Sequence, residues 1–187
     1  MKQIIFFILV ILMWRSAISQ ITIQNGATLY LSGNTQVTLN DADLVNNGTI
    51  TITTNGRFIF TGSVNSFILG SQNPAFNELE IAKAGSNKII LQRTIDVNGK
   101  IVFTSGLIDL NNNIITLGSS AFLENENQNS RVTGTNGGHL VHITTLNAPS
   151  SVNPANFGAT ITSSQNLGTV TIRRGHQFYK IRKSVVK

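Results

Sequence analysis

Three pairs of acidic residues, Asp41/Asp43, Glu78/Glu80 and Glu124/Glu126, are each spaced two apart. On a β-strand that spacing puts both carboxylates on one face, where they could hold Ca²⁺ or share acid–base work on a glycosidic bond. Neither an EF-hand loop nor a Gly-Asp nonapeptide accompanies any pair. A lyase site would also need an Arg or Lys beside clustered acids, and Asp96, Lys100 and Asp109 are scattered along the chain. Asp41 and Glu78 are 37 positions apart, and Glu78 and Glu124 are 46 apart. Those separations are not multiples of one common repeat, although 46 is close to two coils of a repeat of roughly 20–25 residues. The pairs therefore read as solvated strand or loop charge.

The other reactive side chains are dispersed. His139 and His142 are three apart on a predicted strand, so they face opposite sides and cannot share a metal, and His176 lies in a basic tail. There is no cysteine, so neither a disulfide scaffold nor a thiolate metal site can form. No Gly-x-Ser-x-Gly elbow and no phosphate-cradling glycine loop occurs. No catalytic, cofactor-binding or metal-ligating residue is assigned on this basis, and the chain reads as a non-enzyme without a cofactor.

The elements that carry these residues are strands. No stretch shows helical spacing of apolar residues. They come instead as i, i+2 pairs: Ile21/Ile23, Leu29/Leu31, Val37/Leu39, Ala42/Leu44, Ile50/Ile52, Phe58/Phe60, Phe67/Leu69, Leu79/Ile81, Ile89/Leu91, Ile95/Val97, Ile101/Phe103, Ile108/Leu110 and Ile115/Leu117. Such pairs mark short strands with one buried face. Turn residues separate them, among them Asn25-Gly26, Ser32-Gly33, Asn47-Gly48, Asn55-Gly56, Asn98-Gly99 and Ser105-Gly106. Three strands and three corners close a coil of roughly 20–25 residues, the size of a stacked repeat. The fold class that follows is all-β, a right-handed parallel β-helix or solenoid of short strands with like residues stacked between coils. The alternative is an antiparallel β-sandwich built from Asn-Gly hairpins.

The pattern changes near residue 120. Ser119 to Asn136 is polar, His139 to Leu146 gives a further strand, and Pro149 and Pro154 mark a linker or long loop before strands at Ala159–Thr162 and Gly168–Arg173. The domain reading is a signal peptide over 1–19, a β-helical repeat domain over 20–123, a β-rich continuation over 124–176 that doubles as the start of a second module, and a basic tail over 177–187. The signal is tripartite. Lys2 is followed by the apolar run Ile4–Trp14, too short to span a bilayer, and then by Ala17-Ile18-Ser19. Cleavage is expected before Gln20, leaving no stable membrane span and placing the protein outside the cell or on its outer surface. The net charge of +6 is concentrated at the ends, with six basic residues between Arg173 and Lys187. Between Gln20 and Ile172, six basic residues face eight acidic ones, which excludes a nucleic-acid-binding body.

Two segments carry a resemblance. Ser105-Gly106-Leu107-Ile108-Asp109-Leu110-Asn111-Asn112-Asn113-Ile114-Ile115-Thr116-Leu117-Gly118 resembles the G-x-L-D-L-N-x-N-x-L-T-L-G repeat of large exported Bacteroidetes surface proteins. The stretch from Leu146-Asn147-Ala148-Pro149 through Asn166-Leu167-Gly168-Thr169 to Arg174-Gly175-His176 is similar to the segment that follows those repeats. The resemblance implies a β-helical, adhesin-like protein of the kind exported by type IX secretion. Such proteins run on past the segment matching His176 and end in a sorting domain, so the chain reads as an N-terminal fragment of one. The expected function is an exported structural or adhesive module that touches glycans or surface proteins by weak multivalent contact, beside neighbouring β modules. The alternative is a carbohydrate-active β-helix protein, lyase-like or hydrolase-like.

Overall fold

The structure, a computed structural model, describes residues 19–53 and 55–176. Residues 1–18 of the segment read as a signal peptide and the basic tail 177–187 lie outside the described residues. Sixteen strands follow in order: β1 Ser19–Ile23, β2 Thr28–Leu31, β3 Gln36–Asn40, β4 Ala42–Asn46, β5 Thr49–Ile52, β6 Arg57–Gly62, β7 Ser66–Leu69, β8 Ala75–Lys83, β9 Lys88–Leu91, β10 Ile95–Ser105, β11 Leu107–Asp109, β12 Ile114–Leu117, β13 Phe122–Glu124, β14 Arg131–Thr133, β15 His139–Asn147 and β16 Asn166–Gly175. Among the described residues a single 3₁₀ turn spans Pro154–Asn156. Among the described residues no helix is long and apolar enough to cross a membrane.

The strands wind into a parallel β-solenoid of about six turns. The first face is the sheet β1-β4-β7-β9-β11-β14, one strand per turn. The second and third faces begin as separate strands, β2 and β5 on one and β3 and β6 on the other. In the third and fourth turns a single long strand, β8 and then β10, covers both, and in the fifth they part again into β12 and β13. The first part of β10 stacks Ile95 to Val97 on Ile115 to Leu117 of β12, and its second part stacks Lys100 to Val102 on Phe122 to Glu124 of β13. Asn98-Gly99, read as a corner, is a shift of register inside β10 rather than a break in it. Turn lengths run from 19 residues, Lys88 to Leu107, to 25, Ile114 to His139. Ser19 lies over Ala42, Arg57 over Glu78 and Leu107 over Arg131. Every pairing in the stack is parallel, so the antiparallel sandwich is ruled out.

Period-two alternation fills the interior. Phe58, Phe60, Leu79, Ile81, Ile101 and Phe103 stack in columns on the third face; on the first, Leu44, Ile68 and Leu91 form one column and Ile89 lies over Ile108. Phe58 and Phe76 meet edge to face at 5.1 Å, the arrangement aromatic quadrupoles favour. The paired apolar spacing marks inward residues nearly throughout, with Phe67/Leu69 as a correction. There Ser66 and Ile68 point inward, both fully buried, while Phe67 and Leu69 lie on the solvent side. The tetrad Ser-Phe-Ile-Leu is apolar on both faces, so its phase is set by its neighbours, and Ser66 is drawn inward as a partner for buried Lys83. Asparagine ladders tie corners of successive turns together. Asn55 donates to Asn34 and Asn136 to Asn111, and Asn111 and Asn113 both donate to the Leu91 carbonyl.

Residues 124–176 continue this stack and then close it. β14 pairs with β11, and β15 with β12. The chain then turns back through residues 148–165, and β16 runs antiparallel along β15. The proline-rich segment is a lid. Ala155 and Phe157 are buried in the main core, and Phe157 meets His142 edge-on. Of the strand expected at Ala159–Thr162, only an isolated bridge between Ile161 and Val152 forms. Arg173 and Arg174 near the end of β16 place charge on the last edge strand, a usual defence against edge-to-edge association.

Candidate functional site

Stacking at 21–22 residues gathers charges that the sequence spreads out. On the third face Gln36, Arg57, Glu78 and Lys100 occupy one outward column, each directly over the last. Arg57 donates to Gln36 at 3.0 Å and lies 3.7 Å from Glu78 and 3.4 Å from Glu80. Lys100 lies 3.8 Å from Glu78 and 2.8 Å from Glu124. Thr104 donates to Glu80. The hydrogen bond to Glu124 raises the Lys100 ammonium, helped by the charge of Glu78 and opposed by partial burial. Glu78/Glu80 is thus a true one-face pair, and Glu124 joins it two turns along. A cation stands in each gap, so the three carboxylates form an alternating ladder rather than an empty ligand cage. Among the described residues no group of three His, Asp or Glu is placed to hold a metal ion.

The other two acid pairs are split. At the corner between the third and first faces, Asp41 takes a positive φ of 49° and accepts from the Val64 amide at 2.9 Å. Lys83, fully buried, donates to Asp41 Oδ1 at 3.1 Å, to the Thr61 carbonyl at 2.6 Å and to Ser66 at 3.1 Å. All three ammonium protons are therefore used. The Val64 and Ser63 amides, then Lys83, hold the Asp41 carboxyl at about 2. Only glycine fits at position 62, because a Cβ there would stand 2.0 Å from the Asp41 carboxylate. Asp43 points elsewhere and accepts from the Phe67 amide. Glu124 and Glu126 likewise part, since β13 ends between them.

Asp96, Lys100 and Asp109 fall on three different faces. Asp109 is nearly buried and accepts from the Asn111 and Thr135 amides, the Thr135 hydroxyl and Lys88. Burial alone would raise its carboxyl, but these hydrogen bonds together hold it below the usual carboxylate range. His139 and His142 face opposite sides, His142 buried and His139 on the solvent side.

One cavity gathers chemistry that none of the pairs anticipates. It has a volume of about 610 Å³ at the capped end of the solenoid. One wall is Glu126 to Gln128, in the corner loop between β13 and β14. A second is Arg131 to Gly134, and the third is Arg174 and His176 at the end of β16. Arg174 grips Glu126 with two bonds, 2.6 and 2.7 Å, and lies 5.5 Å above the Phe157 ring. Glu126 also accepts from the Val132 amide. Asn127 folds its own turn, accepting from the Asn129 and Ser130 amides. The His176 amide donates to the Gly138 carbonyl. Position 134 must be glycine for this strand end to dock, since a Cβ would stand 2.5 Å from His176 Cβ. Burial and then the Arg174 charge lower the His176 imidazole, and its Nε2 is shielded without a partner among the described residues.

Sequence reasoning considered Glu126, Arg174 and His176 separately and passed over Arg131 and Phe157. The signal available was Glu126 and Arg174 at opposite ends of a segment read as a linker. No family model, no curated protein and no solved structure matches this chain.

Proposed function

We propose that this chain is an exported, non-catalytic module that works by presentation, a rigid rod offering polar faces for weak multivalent contact with glycans or surface proteins. The observation that carries the reading is the fate of its acids. Apart from Asp96, each of the eight carboxylates meets a cation or a backbone amide. An acid held in this way is a poor proton donor or nucleophile, which needs an orienting partner and an open position. The stack of short turns gives a stiff scaffold with outward rows of Thr, Asn and Ser. Weak contacts from such rows gain strength by repetition.

The N-terminal pattern of Lys2, Ile4–Trp14 and Ala17-Ile18-Ser19 supports export. A second reading, a carbohydrate-active solenoid, draws on the cavity where Glu126, Arg131, Arg174 and His176 meet. Against it, Arg174 and the Val132 amide engage both Glu126 oxygens. Two measurements test the proposal. N-terminal sequencing of the exported protein should begin at Gln20, and Met1 retained in membrane-bound material would contradict export. The mature chain, displayed as a tetramer, should be retained on immobilised surface polysaccharide or surface protein while the monomer washes off. Equal washout of both forms would contradict multivalent presentation.

A further inference from the structure

The cavity at the capped end is more than a gap between loop and strand. The contacts within its walls leave two lining side chains without a partner among the described residues. Glu126 and Arg174 neutralise each other and rest on Phe157. Asn127 is occupied by its own turn, and Thr133 donates to the Ile108 carbonyl. Asp109, the other acid whose charge acts on His176, is held by Lys88 and Thr135. Arg131 and Gln128 line the same cavity, and neither meets a hydrogen-bond or ion partner among the described residues. The His176 ring is a wall here, because its Nε2 is shielded.

The cavity thus offers one guanidinium and one primary amide without partners among the described residues, beside the strand of Val132, whose side chain is turned into the core. A guanidinium fork takes a carboxylate through two parallel hydrogen bonds, and an amide can both donate to and accept from a neighbouring hydroxyl. The volume lies within the roughly 300–1,000 Å³ of small-molecule sites. We propose that this cavity binds a saccharide unit bearing a carboxylate, with Arg131 on the carboxylate and Gln128 on an adjacent ring hydroxyl. The proposal rests on the glycan-contact reading above and names the class of sugar that reading lacks.

The test is an NMR titration of the mature chain with a uronic-acid oligosaccharide. The same oligosaccharide as its methyl ester, and sodium acetate and sodium sulfate at equal anion concentration, serve as comparison arms. Amide shifts should move in the Gln128–Gly134 segment with the acid form and stay still with the ester. Arg131→Gln should weaken binding about tenfold, the equivalent of roughly 1.4 kcal/mol. It should leave the circular dichroism spectrum and melting midpoint unchanged, because Arg131 holds no part of the fold. Equal shifts with the ester, wild-type affinity in Arg131→Gln, or shifts confined to another face would each overturn the site. Acetate or sulfate matching the oligosaccharide would overturn the saccharide and leave a bare anion site. If the uronate fails to bind while the tetramer is still retained on neutral polysaccharide, this site is wrong and the presentation reading stands.

Discussion

Replacing Lys83 with methionine keeps the length of the side chain and removes its charge and donors. Lys83 is fully buried and makes three polar contacts, to Asp41, to the Thr61 carbonyl and to Ser66. The losses are unequal. The Thr61 carbonyl keeps a bond from the Asp41 amide, and Asp41 keeps its bond from the Val64 amide with its side chain 32% exposed. Ser66 is fully buried, and the Lys83 ammonium is the partner that its hydroxyl meets. A buried hydroxyl left alone costs about 1–3 kcal/mol, and a hydrogen bond from a charged donor contributes about 1.5–3 kcal/mol. Lys83→Met should therefore destabilise the protein by about 2–4 kcal/mol, discounted for the solvent that screens Asp41. For a chain of this size that is a fall of roughly 4–16 °C in melting midpoint. The assay is urea and thermal unfolding followed by far-ultraviolet circular dichroism. Adding Ser66→Ala to Lys83→Met should restore about 1–2 kcal/mol, because removing both partners is cheaper than orphaning one. A loss below about 1 kcal/mol, or a double variant less stable than Lys83→Met, would refute the reasoning that this corner is held by a buried ammonium.

Three further outcomes follow from the same geometry. Phe103→Asp buries a charge at a position 2% exposed and should unfold the protein or cost several kcal/mol. Phe67→Asp, on the solvent side of the first face, should cost less than about 1 kcal/mol; equal losses in unfolding titrations would show the phase of β7 to be wrong. Asp41 has its carboxyl lowered from 3.8 to about 2, so its contribution is present above pH 3.8 and is lost as pH falls toward 2. The stability difference between wild type and Asp41→Asn should hold from neutral pH to about 4 and shrink below it, read from melting midpoints across pH. The chain has no cysteine, so Arg57→Cys with Glu78→Cys should close one unambiguous disulfide. Those residues are register partners, about 4.8 Å apart across the sheet and within disulfide reach. Arg57→Cys with Glu80→Cys lies on a diagonal of about 8 Å and should stay open; oxidation of both pairs alike, read by mass spectrometry, would contradict the register.

What was legible in the sequence and what was not divides on physical lines. Leu79/Ile81 and Ile95/Val97 declare the core, because an acidic residue, Glu80 or Asp96, sits between the two large ones. Phe67/Leu69 misleads, because Ile68 lies between two other large apolar residues and only Lys83, in the next turn, draws Ser66 inward. Two turns bring Glu124 into register with Glu80, 44 positions away, and not with Glu78, 46 away. The cations that fill the gaps, Arg57 and Lys100, emerge only once the register of the third face is set at 21–22 residues. β13 and β14 are three residues each and lie in a polar stretch, so no periodicity could mark them. The lid was hidden by its prolines, which signal a loop and say nothing of where the loop lands. Phe157 lands on the core, and that places Arg174 and His176 beside Glu126, 48 and 50 positions away.

The central claim is that this solenoid binds without turning its ligand over. Purified mature chain incubated with acidic and neutral polysaccharides, with and without Ca²⁺, and analysed for chain length by size-exclusion chromatography puts it to the sharpest test. The account predicts unchanged polymer length in every mixture, with no new reducing ends. Reproducible depolymerisation that disappears in Asp41→Ala, Glu78→Ala or Glu124→Ala would contradict it.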